Sequence, residues 1–294
     1  MKKTLIMMVL TGALFSCQKN SNESPAQPEA VATTTGGNYQ TLASTTVTTE
    51  AALRTAVANA RPGDVITIIG TINLTRTLEL IASGTASAKI NLSGGTLNCS
   101  GIASGWGVKV NGSYWNIQNI TIKNAPDCGI VFQIGGYNYA YKITATGNKD
   151  SGIQVYNGAH DCNITYCTST ENYDVANGGE NADGFACKLS AGKNNKFDHC
   201  VANHNSDDGW DLYGQPYTVT ITNCTATNNG YGSAGDGNGF KLGSAGQTVA
   251  HTVTNCTSNN NIGAGYDGNG NTGHITRTGS GGSGNGLALF YRIY

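Results

Sequence analysis

Apolar positions divide the chain into a short helical stretch followed by a long series of short strands. In Thr49–Arg61 (TEAALRTAVANAR), Ala52, Leu53, Ala56, Val57 and Ala60 recur at helical spacing. Thr48 or Thr49 is placed to cap that helix, and Pro62-Gly63 stops it. The run from Asp64 to Ile69 (DVITII) then reads as a strand. A single short helix ahead of many strands predicts an N-terminal cap.

Beyond it the chain repeats. Segments ending in Asn close at Asn124, Asn148, Asn172, Asn205, Asn229, Asn261 and Asn285, with gaps of 24, 24, 33, 24, 32 and 24 residues. The base period is thus 24, with two insertions of eight or nine residues, expected at 174–181 and 230–237. Cys167, Cys200, Cys224 and Cys256 each sit five residues before one of these asparagines. A second ladder, each member preceded by Gly, runs through Ile153, Phe185, Trp210, Phe240 and Tyr266. Fixed-period self-similarity marks a solenoid. Units this short, rich in Val, Ile, Thr and aromatics between Gly and Asn turns, predict an all-β fold, a right-handed parallel β-helix, over residues 45–294. Equivalent residues then stack one rung apart, with aromatics and cysteine thiols inside and asparagines bonding along a turn. By the 24-residue count the chain ends mid-rung without a polar cap, so a C-terminally truncated helix is expected.

Composition narrows the classes. Seventeen Lys and Arg against 18 Asp and Glu give a net charge of −1, and only 12% of residues are charged. No basic block exists, so nucleic acid is not an expected partner. The 38% apolar content excludes a disordered chain, and a monomer is expected. Residues 1–17 carry a basic start, an apolar run too short to span a bilayer, and Leu14-Phe15-Ser16-Cys17. That ending resembles a bacterial lipobox with lipidated Cys17. Residues 18–44 read as a flexible tether. The expected location is the bacterial outer membrane, as a lipoprotein on its periplasmic or cell-surface side, or secretion.

The candidate chemistry lies where the rungs SGIQV, DGFAC, DGWDL, NGFKL and AGYDG align. Strand alternation turns the fourth position outward if the aromatic points in. Asp183 should then lie one rung from Asp208, and Asp211 one rung from Lys241, with Asp207 at the same turn. Asp-Gly pairs are common in turns. Four carboxylates concentrated on two rungs of a charge-poor chain point instead to an oxygen-ligated cation, Ca²⁺, on Asp183, Asp207, Asp208 and Asp211. Lys241 faces outward beside them, either as an ion-pair partner of Asp211 or as the base that removes a proton next to a uronic-acid carboxylate. Lys188 and Tyr213, at outward positions on adjacent rungs, are candidates for substrate contact.

The runs 181–188 (NADGFACK), 205–212 (NSDDGWDL) and 237–243 (GNGFKLG) resemble the family 9 polysaccharide lyases. The resemblance covers roughly residues 48–294. It implies a right-handed parallel β-helix acting on pectic polymers, with Asp183, Asp207, Asp208 and Asp211 as Ca²⁺ ligands and Lys241 as Brønsted base. The implied reaction is β-elimination at a 4-linked galacturonate, in polygalacturonate or rhamnogalacturonan I, with an alkaline optimum. A non-catalytic surface glycan-binding β-helix and a polygalacturonase-type hydrolase are the competing readings.

Overall fold

The computed structural model describes residues 43–294. The expected signal segment with Cys17, and the tether up to residue 42, lie outside the described residues. From Ser44 the chain winds as a right-handed parallel β-helix of three nine-stranded sheets. Each sheet takes every third strand along most of the chain, so consecutive strands belong to different sheets and every pairing is parallel. The helix forms over Glu50–Ala58, with the Thr49 hydroxyl accepting from Ala52 N–H at 3.3 Å. It buries Leu53 and Val57 against the strands Val65–Ile68 and Leu78–Leu80 at the first rungs.

The stacking follows from alternation. Phe185, Trp210, Phe240 and Tyr266 are in register on successive rungs, all buried. Their rings lie 4.6, 4.8 and 4.9 Å apart, and Phe290 extends the column at 5.1 Å. These are offset-stacking distances set by the strand spacing. The asparagine ladder runs Asn148, Asn172, Asn205, Asn229, Asn261, Asn285, each side-chain amide donating to the next at 2.8–2.9 Å. Asn124 is not part of it. It sits one residue early, in a separate exposed ladder in which it donates to Asn98, and Ala125 fills the corresponding rung position, its N–H bonding Asn148. The eight described cysteines are free and buried, and Cys200 and Cys224 donate their backbone N–H to the sulfur one rung on.

Another interior column alternates in chemistry. Asn138, Asn195 and His251 each accept the backbone N–H of the preceding rung, from Trp115, Cys162 and Val219, at 2.9, 3.0 and 3.1 Å. His251 Nε2 has no partner, and burial pulls its pKa down to about 4 from the ordinary 6.5. Between those values the unfolded chain binds the extra proton, so stability rises with pH through this window and is lost on acidification. The span corresponds to roughly 3 kcal/mol. His251→Asn keeps the acceptor that Asn138 and Asn195 supply and removes the titration. Melting temperature measured from neutral pH down to about 4 should therefore fall less in His251→Asn than in the parent chain. Equal slopes would show that His251 does not govern acid stability.

Candidate active site

Three consecutive strands of one sheet, Phe185–Cys187, Trp210–Asp211 and Phe240–Lys241, carry the site on their outer face. With the aromatics inward, Ala186, Asp211 and Lys241 face out in register. Asp183, Asp207 and Asp208 stand on the turns that enter the strands, where one oxygen of each falls within 4.8 Å of the others. Both insertions help build this turn region. Asn181 N–H donates to Asp207 Oδ2 at 3.1 Å, and Asp236 N–H donates to Asp207 Oδ1 at 2.7 Å.

The remaining contacts divide the carboxylates. Asp183 Oδ2 accepts from Lys188 Nζ at 2.8 Å and from Ser151 Oγ at 3.0 Å. Asp208 Oδ1 accepts from Asn238 N–H at 2.6 Å, whereas its buried Oδ2 accepts no hydrogen bond. Asp211 lies outside the group of three: Oδ2 accepts from Lys188 Nζ at 3.0 Å and Oδ1 from Tyr213 N–H at 2.8 Å. Lys241 Nζ pairs with Asp236 Oδ2 at 2.7 Å and stands 3.5 Å from Asp208 Oδ2, with the Tyr213 ring centroid at 5.9 Å. An ion pair between Lys241 and Asp211, the alternative to a role as base, does not form. Lys188 takes Asp211, and the insertion supplies Asp236 to Lys241. Neither Asp236 nor the bridging role of Lys188 followed from the repeat alignment. The clue to Asp236 was its position at the end of an eight-residue insertion.

Charge sets the protonation. Burial drives the Asp208 and Asp183 carboxyls well above the usual carboxylate range, with Asp207 adding to the rise at Asp208 and Lys188 opposing it at Asp183. Burial also pushes Asp211 up, but Lys188 and Lys241 outweigh it and hold this carboxyl below its ordinary value. Burial would lower the Lys241 ammonium, yet Asp208, Asp211 and Asp236 keep its pKa above the normal lysine value. Five carboxylates, Asp183, Asp207, Asp208, Asp211 and Asp236, meet only two ammonium groups, Lys188 and Lys241. A buried carboxylate oxygen without a donor, in an all-oxygen cluster with surplus negative charge, fits a hard divalent cation such as Ca²⁺. A second group, Asp127, Cys128 and Asp150, includes a thiol that burial holds firmly protonated, a poorer set for such an ion.

The site opens into a cleft of about 420 Å³ lined by Asp150, Gln154, Glu180, Lys188, Tyr213 and Lys241, among others. A larger hollow of about 630 Å³ beside the helix is lined by Arg54, Arg76 and mainly aliphatic neighbours, and gathers no carboxylate cluster. The carboxylates and both lysines gather at the smaller cleft.

A solenoid with an acidic, lysine-bearing cleft on one parallel sheet defines the class: a right-handed parallel β-helix protein that gathers carboxylates and two lysines on the outer face of one sheet. The chain belongs to the Pel9A-like right-handed β-helix family, whose model matches residues 31–292. Among its relatives is a pectate lyase L from Paenibacillus polymyxa, 39% identical over 195 residues, covering 58% of this chain and 42% of that protein. Another is a pectate lyase L from Dickeya chrysanthemi, 34% identical over 181 residues, 60% of this chain and again 42% of the relative. The chain thus spans well under two thirds of the length of these relatives. Of solved structures, the pectate lyase Pel9A superposes with a TM-score of 0.75 at 27% identity, over 81% of this chain and 68% of that one. A rhamnogalacturonan lyase shares the fold, with a TM-score of 0.65 at 22% identity over 74% of this chain and 65% of that one.

Proposed function

We propose that this chain is a Ca²⁺-dependent polysaccharide lyase that cleaves pectic polymers by β-elimination at a 4-linked galacturonate. One observation carries the reading: an outward Lys241 beside a buried carboxylate cluster in which Asp208 Oδ2 accepts no hydrogen bond and meets the Lys241 ammonium only at 3.5 Å. Lys241 Nζ, once deprotonated, takes the C5 proton. The C5–H electron pair becomes a C4=C5 double bond as the C4–O4 bond breaks with its electron pair on O4; O4 takes up one proton to become the hydroxyl of the other fragment, and Lys241 gives up the one it took, so protons balance. No water is consumed. Asp183, Asp207 and Asp208 would hold Ca²⁺, with Asp211 at the edge of the cluster, and the ion would supply positive charge for the substrate carboxylate while C5 loses its proton. Tyr213, half-exposed beside Lys241, is placed to pack against the sugar ring, while Lys188 fixes Asp183 and Asp211.

The names of the relatives favour polygalacturonate as first substrate, with rhamnogalacturonan I as the alternative. The test is the ultraviolet absorbance of the unsaturated product, followed with each polymer at alkaline pH, with Ca²⁺ or chelator. A Ca²⁺-dependent rise supports the lyase. New reducing ends without unsaturated product would indicate a hydrolase, and binding without any cleavage a glycan-binding module.

A further inference from the structure

The sheet that carries Lys241 continues toward the N-terminus with a second group of side chains outside the cleft. Lys109, Val131, Gln154, Ala186, Asp211 and Lys241 are in register along its outer face, one per strand. Five inter-strand steps separate Lys109 from Lys241, roughly 24 Å at the parallel-strand spacing. Of the four positions between them only Asp211 is charged; Val131 and Ala186 are fully buried, and Gln154 already lines the cleft. At the far end Lys109 Nζ lies over the Trp106 ring, 5.2 Å from its centroid, and Tyr156 tilts toward Trp106 at 6.4 Å. Trp106, Lys109 and Tyr156 are all part-exposed. A part-exposed indole and phenol beside an ammonium make a combination suited to a uronate ring: apolar face on the aromatics, carboxylate on the ammonium.

We propose that Trp106, Lys109 and Tyr156 form a distal subsite for a galacturonate residue of the same polymer chain whose scissile unit lies at Lys241. This rests on the lyase reading for its substrate class. Its own content is the direction of the groove, from Lys241 toward the N-terminal rungs, and its length, several pyranose rings. Long chains should then bind more tightly than short ones by an increment that comes from this group.

The experiment titrates oligogalacturonides of increasing length into the full chain carrying Lys241→Arg, so that ligands stay intact, in the presence of Ca²⁺. The proposal expects affinity to rise on the order of tenfold once the oligomer is long enough to reach Trp106. Adding Trp106→Ala or Lys109→Ala should remove that increment, and Lys109→Arg should retain it. Methyl-esterified oligomers should lose the dependence on Lys109 and keep the dependence on Trp106. A length increment that survives both alanine substitutions overturns the subsite, as does an equal loss of affinity for short and long ligands. Turnover assays of the parent chain separate the two claims. Cleavage with no Trp106-dependent length effect overturns the subsite alone; Trp106-dependent binding with no cleavage by the parent overturns the lyase reading alone.

Discussion

Lys241→Arg should lower kcat for β-elimination by about 10²–10⁴ while leaving the protein folded. Arginine keeps a positive charge opposite Asp208 and Asp236, the two carboxylates that Lys241 meets. It cannot deprotonate in a protein, so it cannot take the C5 proton. Lys241→Ala should lose a similar factor, but it also leaves the carboxylates more crowded, so the arginine variant is the cleaner test. The pH profile is linked to the same geometry. Asp208, Asp211 and Asp236 hold the ammonium in its protonated form against the effect of burial. The competent base is therefore scarce near neutrality, and activity should climb with pH into the alkaline range. A Lys241→Arg chain retaining more than a tenth of parental kcat, or a parental optimum on the acid side of neutrality, would remove Lys241 from the role of base.

How much of this site is legible in the sequence depends on what positions each residue. The repeat carries strand register. Aligning the residues before and after Phe185, Trp210 and Phe240 puts Asp183 beside Asp208 and Asp211 beside Lys241, and the structure has those neighbours. The register error at Asn124 has a simple cause: Asn is also favoured at positive-φ turn positions, and Asn124, at φ 60°, occupies one of those. The partners of Lys241 were less accessible. Alternation tells which face a side chain leaves from, not where a long, flexible side chain ends. Lys188 leaves the same outward face as Tyr213, yet it turns back to bridge Asp183 and Asp211 and is only 8% exposed. The unpaired cost of two buried carboxylates favours that arrangement over a solvated lysine. Asp236 belongs to an insertion, where the 24-residue period carries no positional information. The Trp106 group was missed because Trp106 precedes its strand and falls outside the aligned pentads.

Adding Ca²⁺ to the chelated chain should raise its melting temperature by roughly 5–10 °C, the effect of about 2.7 kcal/mol of binding linkage at 100 times Kd on a domain of this size. Activity should fall to baseline in chelator. Loss of activity alone has a weakness as evidence, since acidic polymers bind Ca²⁺ themselves; the melting shift is read without substrate. Its pH dependence has a definite sign. Asp183 and Asp208 titrate well above the ordinary carboxylate range in the metal-free fold. The folded state therefore binds more protons than the unfolded one above about pH 4, and these two groups lower stability as pH rises through their elevated pKa values. Asp211, held low by Lys188 and Lys241, has the opposite sign and contributes stability that is lost only on acidification. A cation that neutralises the cluster relieves the first effect and not the second, so the Ca²⁺-induced gain in melting temperature should grow from acid toward neutral pH. Asp208→Asn removes the carboxylate whose Oδ2 has no donor, and its melting temperature in chelator should match or exceed the parent's, because one buried charge is gone. The same variant should lose most of the Ca²⁺ response. A parental chain with no Ca²⁺ shift, or an undiminished shift in Asp208→Asn, would place any bound ion elsewhere and leave the acidic cluster as a purely structural ion-pair network.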